Sequence, residues 1–311
     1  VLPDEPFDVP ELRAMDARVA YRARQVQASK LPLEGVVLDL TLEDGRMTFE
    51  PLRFDLADGA LDSVIRLDGR TDVLAGELEL AVRNIRLNRL FAAFDIEIAG
   101  IEMEQEGVGT FAGQAALEVR GNSIRELAGS ADGEALFLMD GGKINALIVE
   151  GLGLDVGEAI ALLLSGDEEE QSEMVPIQCL VARFGVQDGI MQTEALVLET
   201  SDSTITGTGQ IDLGQEALSI ELLANPKDAS VLSASTPVRI GGTFENPEID
   251  PVSEELQEKS LAALALGVVL PVIGAILPFV EEGEGEPVDC ARLIEAASAA
   301  VQTDSLDRTP Q

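Results

Sequence analysis

Residues 38–69 read LDLTLEDGRMTFEPLRFDLADGALDSVIRLDG. Leu38, Leu40 and Leu42 interleave with Asp39, Thr41 and Glu43. Asp44-Gly45 follows, then Met47 and Phe49, then Leu52, Phe54 and Leu56 around Arg53 and Asp55. Side chains of an extended strand point alternately to opposite faces, so this period predicts strands with one aliphatic and one charged face. Asp-Gly suits a tight hairpin, because both residues tolerate positive φ. It recurs at 44–45, 58–59, 68–69, 132–133, 140–141 and 188–189. The stretch predicts an antiparallel meander in which a one-residue slip would turn the aliphatic set to the wrong face.

The pattern continues outward. Leu78, Leu80 and Val82 alternate with Glu79 and Ala81. Phe111, Ala115, Leu117 and Val119 do the same, as do Leu136 and Leu138, then Met191, Thr193 and Ala195, then Leu218, Ile220 and Leu222. Val238, Ile240 and Phe244 close the series. Helical periodicity is confined to short pieces. These are Arg86 to Phe94, a turn capped by Ser123 with Glu126 completing a capping box, and the apolar stretch Gly157 to Leu164. The acidic run 167–170 behind the last of these reads as an exposed loop. The fold class expected is mainly β: a long, curled antiparallel sheet forming an open groove, with a few short helices and a C-terminal helical tail.

Pro247, Pro251 and Glu254-Glu255 mark a boundary. It divides the chain into a sheet domain over residues 1–250 and an apolar tail over 251–311, whose last residues are expected to be disordered. Leu261 to Val280 carries no charge over twenty residues, a length that would cross a bilayer as a helix. Gly267, Pro271, Gly274 and Pro278 interrupt it and favour a broken helix that packs on or caps the sheet.

Composition removes several classes of function. The 311 residues include 57 acidic and 21 basic side chains and no histidine, for a formal charge of -36. Such a charge argues against nucleic acid and against an anionic membrane surface as direct partners. Without histidine there is no Ser-His-Asp or Cys-His machinery and no imidazole-ligated zinc. The acidic excess reads as a solvated surface, since the loop and repeat signatures of calcium sites are missing. No enzyme activity, metal or cofactor is expected. The chain begins at Val1 without a basic segment leading into an apolar one, so a fragment or processed form is expected. Cys179 lies in a strand-like stretch and Cys290 in the tail. They read as two unrelated thiols, as a structural disulfide in an oxidising compartment, or as a metal site short of ligands. A disulfide and a bilayer span at 261–280 exclude one another.

Several segments, in order, resemble the AsmA family. Leu40 to Leu56 with Asp58-Gly59-Ala60-Leu61 is similar to its L-x-x-G-x-L-x-x-x-P-L-x-F-x-x-A-x-G segment, with Met47 for the second leucine. Gly113 to Gly121 with Asn122-Ser123 resembles G-x-x-x-L-x-G-x-G-x-S, Val119 standing for the middle glycine. Cys179 to Gly189, Thr206 to Leu213, Gly241 to Pro247 and Asp289-Cys290 match further segments. The resemblance implies a lipid-transfer protein of the Gram-negative periplasm, tethered to the inner membrane by an N-terminal helix. It would carry phospholipid toward the outer membrane in an apolar groove. That groove would be lined by Leu38, Leu40, Leu42, Met47, Phe49, Leu52, Phe54, Leu56, Leu78, Leu80, Val82, Leu117, Val119, Leu136, Leu138, Leu218, Ile220 and Leu222. In such an oxidising compartment the disulfide Cys179–Cys290 is the preferred reading of the two cysteines. The alternatives are a closed sandwich core made from the same face, and a non-enzymatic scaffold that contacts outer-membrane or periplasmic proteins through its acidic side.

Overall fold

The computed structural model describes residues 1–27, 32–89, 109–145, 174–227, 237–251, 289–292 and 294. They form β1 (Ala17–Val26), β2 (Leu33–Glu43), β3 (Arg46–Leu56), β4 (Gly59–Asp68), β5 (Ala75–Arg86), β6 (Thr110–Arg120), β7 (Asp132–Asp140), β8 (Lys143–Asn145), β9 (Met174–Gln187), β10 (Ile190–Thr200), β11 (Ser203–Asp212), β12 (Ala217–Pro226), β13 (Val238–Gly242) and β14 (Pro247–Pro251). The helices are α1 (Val9–Leu12) and α2 (Ile124–Gly129), and residues 290–292 and 294 are helical as well. Strands pair with their sequence neighbours, always antiparallel, in one path from β1 to β14, with β8 beside β9 off that path. β1 does not meet β14, so the sheet is open and not a barrel.

The hairpin chemistry is as the dipeptides predict at two turns. Asp44 and Gly45 have φ of 49° and 74°, Asp188 and Gly189 of 47° and 74°. Two others correct the reading. Between β3 and β4 the positive angles belong to Ala57 and Asp58, and Gly59 already opens β4. Asp132-Gly133 makes no turn but starts β7, because α2 has carried the chain across. Ser123 caps α2, its Oγ accepting from the Glu126 N–H at 3.1 Å. The Glu126 carboxylate accepts from the N–H of Asn122 at 2.6 Å, one residue earlier than a capping box requires. The helix expected over Arg86 to Phe94 starts one residue later, and its residues 90–94 lie outside the described residues. β5 runs through Arg86, and only residues 87–89 of the described part are helical.

Register shifts interrupt the pairs β2–β3, β3–β4, β5–β6, β9–β10 and β10–β11. Each extra residue bends its strand and increases the local twist, so the sheet is curved at defined positions. The stretch before β1 runs along one row of turns. Leu2 N–H donates to Glu216, between β11 and β12, at 2.7 Å. Phe7 N–H donates to the Asn122 carbonyl at 2.6 Å, and Arg13 Nε to the Gly69 carbonyl at 2.6 Å. Val9 of this stretch is buried, as is Leu74. Arg125 of α2 reaches Glu216 at 2.9 Å, tying the β6–β7 connection to the β11–β12 turn.

Among the described residues the last strand ends at Pro251. Gly157 to Leu164, the acidic run 167–170 and Leu261 to Val280 lie outside the described residues. Among the described residues no helix is long and apolar enough to cross a membrane.

Candidate functional site

Directly opposed residues of an antiparallel pair share a face, so the register assigns every side chain. One row runs Val19, Leu40, Phe49, Ile65, Leu78, Leu117 across β1 to β6. The next runs Tyr21, Leu38, Leu52, Ser63, Leu80, Ala115. At the other end Ile211, Leu218, then Gly209, Ile220 and Ile240, then Gly207, Leu222 and Val238 continue the same face. Away from the strand ends this face carries no carboxylate, ammonium or guanidinium group among the described residues. Most of its large side chains in β2 to β6 are half-buried, and Val19 and Tyr21 on β1 are each 47% exposed. It is closed toward β11 to β13, where Ile205, Ala224 and Val238 are buried, and in the middle. There Ala135, Ala182, Phe184, Val186 and Met191 are buried, with Phe137 stacked on Phe111 at 5.9 Å and edge-on to Phe184 at 6.0 Å.

The opposite face is ionic. Arg53 and Arg83 both pair with Asp62. Arg66 meets Glu79 at 3.0 Å, Glu50 at 3.4 Å and Glu77 at 3.6 Å. Arg22 meets Asp39 at 2.6 Å, and that hydrogen bond holds the Asp39 carboxyl below its ordinary range. Two groups of ion pairs on this face are deeply buried. Arg183 lies between Glu134 at 3.1 Å and Glu194 at 2.9 Å. Glu194 is the extra residue of the β10 irregularity, and a Cβ at Gly185 would collide with it. Glu199, fully buried, meets Lys227 Nζ at 2.5 Å and accepts from Thr204 Oγ1 at 2.6 Å.

The register separates two residues from the set expected to line a groove. Leu136 stands opposite Gln114 and Arg183, and Leu138 opposite Ala112 and Val181, which puts both on the ionic face. Their neighbours Ala135, Phe137 and Met139 take the aliphatic side. The run ALFLM is apolar at every position, so alternation had no basis for choosing between its two faces. The other residues expected there, Leu38, Leu40, Leu42, Met47, Phe49, Leu52, Phe54, Leu56, Leu78, Leu80, Val82, Leu117, Val119, Leu218, Ile220 and Leu222, do share one face. Sequence reading missed Val19, Tyr21 and the whole of β1, whose arginines and alanines dilute the pattern. It also passed over Leu61, Ile65 and Leu67, although their spacing carries the same signal.

Leu136 is 1% exposed, in a buried cluster against which Ile294 of the tail packs. Cys179 bonds to Cys290, with Cα atoms 5.9 Å apart. Cys179 opposes Asp140 and Glu199, so the tail docks on the ionic face. Ile294 there packs on a patch of Leu136, Leu138, Val181, Ala195 and Val197. The described part of the tail therefore leaves the aliphatic face alone. A metal reading of the cysteines is overturned by the bond itself.

A model of the AsmA family matches residues 1–196. The chain belongs to the AsmA family. The AsmA family protein YhjG of Escherichia coli (strain K12) is 26% identical over 295 residues, which are 94% of this chain and 41% of the relative. The chain thus spans less than half the length of that curated protein. No solved structure matches. AsmA membership suggests a role in envelope or lipid biogenesis and is consistent with a bacterial envelope protein.

The AsmA-like segments fall at structural joints. Leu40 to Leu56 is the β2–β3 hairpin, and Gly241 to Pro247 the turn into β14. In TGTGQIDL of β11 the two glycines lie on the aliphatic face and the threonines on the other. A Cβ at Gly207 would collide with Leu196 and Leu222, which close over the backbone there.

Proposed function

We propose that this AsmA chain binds phospholipid on its aliphatic face and passes it along the sheet, as the periplasmic part of a protein tethered to the inner membrane. One observation carries the reading. Among the described residues a face made from many strands is apolar from edge to edge, holds no charged group away from the strand ends, and over β2 to β6 is half-exposed where a closed core would be dry. Thirteen strands in one path at about 4.8 Å spacing extend roughly 58 Å along the sheet. An acyl chain reaches about half of a bilayer's ~30 Å hydrocarbon thickness, so several lipids fit along such a surface.

The physics needs no specific contact. Each CH₂ removed from water contributes about 0.8 kcal/mol, and tails can slide between equivalent leucines because nothing pins them. Head groups stay in water along the open side. The reading involves no chemical step and assigns no catalytic residue. The ionic face keeps the outside of the sheet solvated, and cross-strand pairs such as Arg66 with Glu79 offset part of the acidic repulsion.

Native mass spectrometry of the purified chain tests this. Co-purified or vesicle-derived phospholipid is expected, and Leu40→Asp or Ile220→Asp should abolish its uptake with the β signature in circular dichroism unchanged. A protein that stays lipid-free after incubation with phospholipid vesicles, or an Ile220→Asp variant that loads normally, would overturn it.

A further inference from the structure

Among the described residues, the two edges of the sheet are built differently. β14 is five residues long, begins at Pro247 and ends at Pro251, with Glu248 and Asp250 between. Two of its residues have no N–H to donate, and short length, proline and charge are the usual means of closing an edge. β1 has no proline and is twice as long. Its register with β2 runs from Ala17↔Leu42 to Val26↔Leu33 without a shift. On its far side alternate N–H and C=O groups point away from β2. Val19 and Tyr21, at the end of the aliphatic rows, are half-exposed on one face.

The other face of β1 bears Arg18, Arg22 and Arg24, and the strand has no acidic residue. Three of the chain's 21 basic side chains are thus gathered on one edge of a protein with 57 acids. Arg22 pairs with Asp39 at 2.6 Å. Arg18 and Arg24 make no ion pair among the described residues. This row discriminates between partners. A second copy paired antiparallel about the strand centre would set Arg18 against Arg24, and like charges directly opposed are destabilising. An acidic strand would meet complementary charge at the same positions.

We propose that β1 is an acceptor edge for one added strand from a partner polypeptide, a segment in which aliphatic and acidic residues alternate. Its aliphatic side chains lie beside Val19 and Tyr21 and its carboxylates beside Arg18, Arg22 and Arg24. β2 already shows this fit on the other side of β1: Leu38 and Leu40 oppose Tyr21 and Val19, while Asp39 takes Arg22. The added strand extends both faces without a break. The inference stands whether or not the aliphatic face carries lipid.

The test uses the whole 311-residue chain and two labelled peptides of about nine residues, one alternating Val and Glu, the other Val and Lys. Binding is read by fluorescence anisotropy, and its position by hydrogen exchange at the amides of Arg18 to Arg24. The acidic peptide should bind at least tenfold more tightly than the basic one and slow exchange at alternate β1 amides. Reversing the row with Arg18→Glu, Arg22→Glu and Arg24→Glu should invert that preference. Should the triple variant misfold, Arg18→Gln with Arg24→Gln spares the Arg22 pair and should weaken the acidic peptide severalfold. No binding, equal binding of the two peptides, protection away from β1, or concentration-dependent protection of β1 without peptide would each overturn the proposal.

Discussion

Replacing Leu136 by alanine should cost far more than replacing Leu40, although the two leucines look alike in sequence. Leu136 is 1% exposed and packed among Val181, Ala195, Val197 and Ile294. Alanine removes three carbons, about 2.4 kcal/mol at ~0.8 each, and a cavity term brings the loss to about 3–4 kcal/mol. Leu40 is half-buried on the aliphatic face, so roughly half of that transfer term applies and no closed cavity forms. Its loss should be about 1 kcal/mol. At ~2–4 °C per kcal/mol for a chain of this class, the thermal midpoints should fall by about 6–16 °C and about 2–4 °C. Urea unfolding of lipid-free protein, followed by circular dichroism, measures both. Equal losses would mean that the aliphatic face is a sealed core, and both the face assignment and the lipid reading would fail with it. A loss at Leu136 below about 1 kcal/mol would mean that the tail does not cover it.

Three further outcomes follow from the same geometry. Reducing the Cys179–Cys290 bond, whose partners lie 111 residues apart, should lower stability by up to about 4–5 kcal/mol on the loop-entropy account; an unchanged urea midpoint under dithiothreitol would refute it. Lys227→Met strands the fully buried Glu199 carboxylate and should cost about 3–5 kcal/mol, whereas Lys227→Met with Glu199→Leu should recover most of it; a double variant no more stable than the single one would contradict the pairing. Asp68 is held well below the ordinary carboxylate range, chiefly by the Arg70 guanidinium and then by backbone and Arg46 hydrogen bonds. A depressed folded value makes its contribution full above about pH 4 and lost as the pH falls through that value, so Asp68→Asn should flatten the acid limb of the stability curve and leave neutral pH less stable; an unaltered acid limb would dismiss the contact.

Most of the strand order and nearly all of the aliphatic face were legible beforehand, for a physical reason. Backbone alternation is local. Leu38 and Leu40 point the same way wherever the strand is placed, and hairpins pair each strand with its neighbour, so period two and turn chemistry propagate across the sheet. The cysteine pairing was legible only as one of several alternatives, because the sequence does not tell how near two distant thiols lie. β1 was hidden because an edge strand needs little burial and its arginines blur the pattern.

What the sequence by itself determined was a mainly β chain with one aliphatic and one ionic face and too little chemistry for histidine-dependent catalysis. The tertiary structure decided which face is covered, and by what. Buried Leu136 and half-buried Leu138 share a cluster with Ile294, held near by the Cys290 bond, residues that no local pattern connects with β7. The buried ions Arg183 and Glu199 are held by partners on neighbouring strands and beyond a turn. Such facts depend on contacts between distant parts of the chain, whereas alternation depends only on the bond between one residue and the next.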